Sequence, residues 1–298
     1  MTLAYVEPDT VEEAVALLAE DEGSKVLAGG QSLMVLLRQG LVAPSRLVSL
    51  QRIPELGRIQ LLPDGSLRVG CMATYREVAG QAGRLLPAVA DACRQVGPIP
   101  VQNVGTPGGS LCHNAPGADV PAALLALDAQ AVVRSGAGER TIPLAGFFRG
   151  YFETVLEPAE LLVGIHVPKP AVGATSAYVK FNFRLIDMAI VGVAVAFRRD
   201  GEVCLDVRIA VGGVAEVPFR ARAAEQALEG RALTAAVVAE AGRLAATERE
   251  PVSDVHASAA YRRRVTPVIV KRALERAAGG GGSDVPPALM LDVSSAPA

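Results

Sequence analysis

The chain has 298 residues, half of them hydrophobic, enough to bury more than one core, and its formal net charge is −2. That balance excludes nucleic acid as the main partner, because phosphate binding requires a basic surface. Apolar runs such as 189–197 fall far short of the roughly 20 residues of a membrane span, and residues 1–10 lack the basic-then-apolar pattern of a secretion signal. A cytoplasmic protein with small molecules or other proteins as partners is expected. The cysteines (Cys71, Cys93, Cys112, Cys204) form no CxxC pair, and the histidines (His113, His166, His256) are equally dispersed. Neither a disulfide framework nor a metal or iron–sulfur site is predicted within this chain.

Taken in chain order, Thr10 and Glu13 make a capping box before a helix that carries Val11, Ala14, Val15 and Leu18 to Gly23. A short buried strand over 25–28 leads into AGGQS, and Ser32 is placed to cap a helix with Leu33, Leu36 and Leu37. A strand follows at 47–50. Strands at 58–62 and 66–70 flank the turn pair Asp64 and Gly65. Thr74 and Glu77 repeat the capping box, and a helix over 86–96 delivers the chain to the stretch NVGTPGGSLCHNAPGADVP at 103–121. Beyond it lie a short helix at 122–127, strands at 131–134 and 140–143, and a segment at 147–168 that ends in a strand. Three antiparallel strands are predicted at 177–183, 189–197 and 203–211, then helices over 220–228, 234–247 and 257–278. The glycine- and proline-rich remainder is expected to be a disordered or peripheral tail. With no repeat period and no clean βαβ alternation, the fold class is α+β.

Two stretches stand apart chemically. In each, adjacent glycines (Gly29 and Gly30; Gly108 and Gly109, with Gly105 just before) sit beside hydroxyls. Glycine lets consecutive N–H groups turn into one concavity, which suits an anion such as a pyrophosphate. The first stretch reads as strand, glycine loop, helix, and a helix N-terminus adds unpaired donors and a positive dipole end. Either loop alone is equally a surface loop of turn formers.

Together, AGGQSL at 28–33 and GTPGGS at 105–110 resemble the two FAD-binding loops of the medium, flavin-binding subunit of molybdenum hydroxylases of the carbon monoxide dehydrogenase and xanthine dehydrogenase type. PGADVP at 116–121, FFRGYFETVLEPAELL at 147–162, AYVKFNFRLIDMAIVGVAVAF at 177–197 and AAYRRRVTPVIVKRALE at 259–275 extend the resemblance to about residue 278. It implies a two-subdomain, PCMH-type FAD-binding fold (1–57 and 58–175), then a C-terminal α+β subdomain (176–278) with a three-stranded antiparallel sheet and helices, and the tail at 279–298.

The resemblance also implies which residues hold FAD. Leu27, Ala28, Gly29, Gly30, Gln31 and Ser32 would wrap the pyrophosphate, and Gly105, Thr106, Gly108, Gly109 and Ser110 would form the opposite wall, with Asn114 in the following turn. Asp119 would accept from a cofactor hydroxyl, its plainer reading being a cap for the helix at 122. Leu162 would touch the ring system, although a strand leucine is also ordinary core. Lys180 would place a positive charge by the flavin, since a strand lysine either faces solvent or serves a site. No catalytic or metal-binding residue is implied. His113 beside Cys112 reads as a polar loop residue rather than a covalent flavin link. Pro107, Ser110 and Gln102 depart from the family pattern, and Pro107 removes an N–H from a loop that works through N–H groups; FAD binding is expected to survive these changes, and whether they weaken it is left open.

The implied activity is electron transfer, from iron–sulfur clusters of a small partner subunit through FAD to an acceptor. A large subunit would carry the molybdenum cofactor in a heterotrimer, itself doubled. Two rivals are a stand-alone flavoprotein oxidoreductase of the same superfamily and a docking protein that has lost FAD.

Overall fold

The structure is a computed structural model that describes residues 3–184 and 186–279. The tail expected beyond Gly279 lies outside the described residues.

The chain begins β1 (Ala4–Val6), α1 (Val11–Glu20), β2 (Ser24–Leu27), α2 (Leu33–Arg38) and β3 (Arg46–Ser49). The three strands form a parallel sheet in the order β1-β3-β2. Thr10 caps α1 by accepting from the Glu13 N–H at 3.1 Å, while the Glu13 carboxylate accepts from the Asp9 N–H. Ala14, Val15 and Leu18 give that helix its buried face.

Next come β4 (Ile59–Leu61), β5 (Leu67–Gly70), α3 (Tyr75–Gln81), α4 (Pro87–Arg94), α5 (Ile99–Val104), α6 (Pro107–His113) and α7 (Asp119–Ala126). The chain continues through β6 (Gln130–Ser135), β7 (Gly138–Pro143), the small hairpin β8 (Phe148–Gly150) and β9 (Glu153–Thr154), and β10 (Leu161–Val167). Strands β4-β5-β10-β6-β7 make an antiparallel sheet. The turn between β4 and β5 is tightened by Asp64, which accepts from both the N–H and hydroxyl of Ser66, with Gly65 at φ 84°. The Thr74–Glu77 capping box is complete. Both α5 and α6 fall where the sequence reads as loop. Each carries proline in its first turn, Pro100 in α5 and Pro107 in α6, where it is tolerated because the first-turn N–H would have no intrahelical partner.

Last come β11 (Ala174–Phe181), β12 (Val191–Asp200), β13 (Val203–Gly212), β14 (Phe219–Arg220), α8 (Arg222–Leu228), α9 (Ala235–Ala245) and α10 (Ala259–Ala278). The expected three-stranded sheet has a fourth member, since β14 pairs with β13 through Ala210–Arg220 and Val211–Phe219. Two residues are too few to show alternation in sequence.

Side chains alternate across this sheet, and the alternation explains its sequence. Ala177, Phe181, Val193, Val195 and Phe197 join the core under α8, α9 and α10. Tyr178, Ala194 and Ala210 belong instead to the core shared with α4 and α7. The sheet is therefore covered on both faces, with small residues letting α7 approach closely. Among the described residues no helix is long and apolar enough to cross a membrane.

Candidate functional site

The first glycine stretch follows β2. Gly30 takes φ 67°, and its carbonyl accepts from the Met34 N–H at 3.0 Å to start α2. The Gln31 side chain folds back to the Gly29 carbonyl at 3.0 Å. Among the described residues, the backbone N–H groups of Gly29, Gly30, Gln31 and Ser32 meet no protein acceptor. Four successive donors thus stand open at a helix N-terminus. Ser32 is not the side-chain cap predicted for α2: it has φ −95° and ψ −48° and makes no capping bond, because its backbone is already helical.

The second stretch is a helix start rather than a loop. Thr106 is the N-cap of α6, its hydroxyl accepting from the Gly109 N–H at 3.0 Å and its carbonyl from the Ser110 N–H at 3.0 Å. Pro107 occupies the first helical position and costs no hydrogen bond there. Pro107 thus removes no intrahelical hydrogen bond from α6. Gln102 is also employed, donating to the Arg94 and Gly97 carbonyls to tie α5 to the end of α4.

The two stretches touch. A Cβ added to Gly29 would lie 2.1 Å from the Val104 carbonyl oxygen and 2.9 Å from Gly105 Cα. One on Gly108 would stand 2.6 Å from the Cys71 carbonyl oxygen, and one on Gly105 would meet the Tyr75 ring at 2.7 Å. Glycine is required at these positions by close approach. Tyr75, which the sequence did not single out, donates its N–H to the Gly105 carbonyl at 3.0 Å. Burial pushes the Tyr75 phenol up.

Below this lies a buried polar cluster. Asp119 opens α7, and its carboxylate accepts from the Tyr178 hydroxyl at 2.6 Å and from Lys180 Nζ at 2.9 Å. Lys180 also donates to the Gln95 carbonyl at 3.0 Å. The side chains of Lys180 and Asp119 are 2% and 5% exposed. Burial pushes the Asp119 carboxyl up, opposed by the Lys180 ammonium and the Tyr178 hydroxyl. Both of its oxygens have protein donors, so Asp119 is neither a helix cap nor free of partners.

Comparison with known proteins places this architecture. Residues 1–170 match the FAD binding domain in molybdopterin dehydrogenase, and residues 176–277 match the CO dehydrogenase flavoprotein C-terminal domain. The carbon monoxide dehydrogenase medium chain of Hydrogenophaga pseudoflava is 36% identical over 92% of this chain and 96% of its own length. The chain belongs to this FAD-binding medium-chain family. The solved carbon monoxide dehydrogenase of that organism superposes with a TM-score of 0.90 over 94% of this chain and 98% of the other. Quinoline 2-oxidoreductase from Pseudomonas putida 86 does so with 0.89 at 33% identity, over 94% and 98%.

The cofactor of this oxidoreductase family is FAD, and the donor set here fits it: open N–H groups suit a pyrophosphate, and the glycine contacts leave no room for side chains between the two stretches. Other residues of the expected set lie deeper. Asn114 is fully buried in the left-handed conformation at φ 45°, its amide donating to the Gly150 and Glu153 carbonyls at 2.7 and 2.9 Å. It anchors the β8–β9 hairpin to the end of α6, where the His113 ring stands 5.1 Å from that of Phe152. Leu162 is buried in the main core on β10, beside an irregularity in its pairing with β6. Leu27 and Ala28 are half-buried at the end of β2. Among the described residues no group of three or more His, Cys, Asp or Glu side chains is arranged to hold a metal ion.

Proposed function

We propose that the chain is the electron-transferring flavin subunit of a molybdenum-containing hydroxylase, receiving electrons from iron–sulfur clusters of a small partner and delivering them to an acceptor. The partners are that small subunit and a large subunit holding the molybdenum cofactor, in a doubled heterotrimer within the cytoplasm. When bound, FAD supplies the capacity to take up electrons and pass them on. This chain's residues supply binding and orientation. The N–H groups of Gly29 to Ser32 hold the pyrophosphate, with Leu27 and Ala28 setting the strand end from which they project. Gly105, Thr106, Gly108, Gly109 and Ser110 close the opposite wall, with Asn114 fixing the end of α6. Lys180, paired with Asp119, would set the charge near the flavin, and Leu162 would offer it apolar surface.

The observation that carries this reading is the run of unpaired N–H donors pressed against a second glycine stretch. Partner docking is supported by α2 and α5, which bury none of their residues, so that Met34, Val35, Ile99 and Val104 stand exposed beside the cradle. Pro107, at the first position of α6, does not by itself favour a docking protein without FAD. The full chain is expected to purify with, or take up, FAD and show oxidised-flavin absorbance, and to be reduced by a reduced iron–sulfur protein but not by an organic substrate alone. A colourless chain that takes up no added FAD would overturn the reading, and turnover of an organic substrate by the isolated chain would favour a stand-alone enzyme.

A further inference from the structure

Strand β11 sends alternate side chains toward α4 and α7. Ser176 Oγ accepts from the Ala88 N–H at 3.2 Å, Tyr178 reaches Asp119, and Lys180 reaches Asp119 and Gln95. Tyr178 is fully buried, so its hydroxyl is dehydrated and needs a protein partner. Room for that hydroxyl is made on the neighbouring strand, where a Cβ on Gly192 would lie 2.3 Å from it. A phenylalanine would fill the core equally well; the hydroxyl has one use, which is to hold Asp119.

What Asp119 holds in turn is Lys180. An ammonium carries three N–H donors, and the described residues supply two acceptors, Asp119 and the Gln95 carbonyl. The third donor, on a side chain 2% exposed, meets no acceptor among the described residues.

We propose that Tyr178 is a positioning residue for the flavin site: its hydroxyl fixes the Asp119 carboxylate so that Lys180 presents its charge and its remaining donor to the cofactor. The inference rests on the functional reading above. Without the hydroxyl, the Asp119 charge is shared with one donor instead of two, neutralises Lys180 more fully, and leaves a less positive field at the ring.

The test uses the full chain loaded with FAD, measuring FAD affinity by absorbance titration and midpoint potential by dye equilibration. Tyr178→Phe is expected to bind FAD about tenfold more weakly, of the order of one charge-assisted hydrogen bond, with a midpoint potential below that of the parent chain. Asp119→Asn should abolish the additional effect of Tyr178→Phe, since Tyr178 acts through Asp119. Gly192→Ala, which keeps the phenol but crowds its hydroxyl, should lower the potential in the same sense and decides the matter if Tyr178→Phe does not fold. A purely structural tyrosine would change only the melting temperature. Parental affinity and potential in the folded variants would overturn this inference alone. Failure of the parent chain to take up FAD would overturn it together with the functional reading.

Discussion

The two glycine stretches share a composition but not a physical state. In the first, Gly29 to Ser32 leave their N–H groups open on a half-exposed connection, and the helix that follows buries nothing. In the second, Gly105, Thr106, Pro107 and Gly108 are buried, the Gly109 and Ser110 N–H groups are taken by Thr106, and the glycines press on Tyr75 and Cys71. The first offers donors; the second offers shape. Glycine serves the first by a positive φ at Gly30 and by close approach to the second stretch at Gly29, and serves the second by close packing on Tyr75 and Cys71.

The difference can be broken experimentally. Gly29→Ala has the largest expected effect on binding: its Cβ would meet backbone of the second stretch, an overpacking of about 1–3 kcal/mol, so FAD affinity should fall by about 10- to 100-fold with helical content retained by circular dichroism. Gly108→Ala should reverse the emphasis, lowering the melting temperature through its clash with Cys71 backbone more than it weakens FAD binding. Thr106→Ala removes the α6 cap and should cost about 1 kcal/mol, measured by denaturant unfolding. Pro107→Ile should leave FAD affinity within about twofold, since it replaces a residue whose missing N–H has no intrahelical use; a clear tightening would show that Pro107 weakens FAD binding.

The smallest effect concerns pH, away from both stretches. The Arg140 guanidinium, bonded to Glu160 at 2.7 Å, holds that carboxyl below the usual range. A depressed carboxylate contributes stability that is present above its unfolded pKa, about 4.3, and lost as pH falls through the folded value. Glu160→Gln should therefore be less stable than the parent near neutrality and converge with it in acid.

Much of the fold is legible in the sequence because it is locally encoded. Thr10 and Thr74 cap their helices in the structure as the sequence predicts, and β12 and β13 pair as antiparallel neighbours as their pattern predicts. Helices α5 and α6 are not legible, because proline and glycine at 97–109 carry the same signal for a loop as for a short helix entered through proline. The site is half legible. Glycine clusters announce close approach, but not whether their N–H groups stay open. The Tyr178–Asp119 bond spans 59 positions, beyond any local pattern. Its one sequence trace is alternation, which puts Tyr178 on the same face of β11 as Lys180.

The central claim, that open donors of the first stretch and the close-packed second stretch together hold FAD, is tested most directly by titrating the flavin-free full chain with FAD beside Gly29→Ala. The account predicts stoichiometric uptake by the parent and loss of uptake at the same concentrations by a folded variant. Equal uptake by both, or none by the parent, would contradict it.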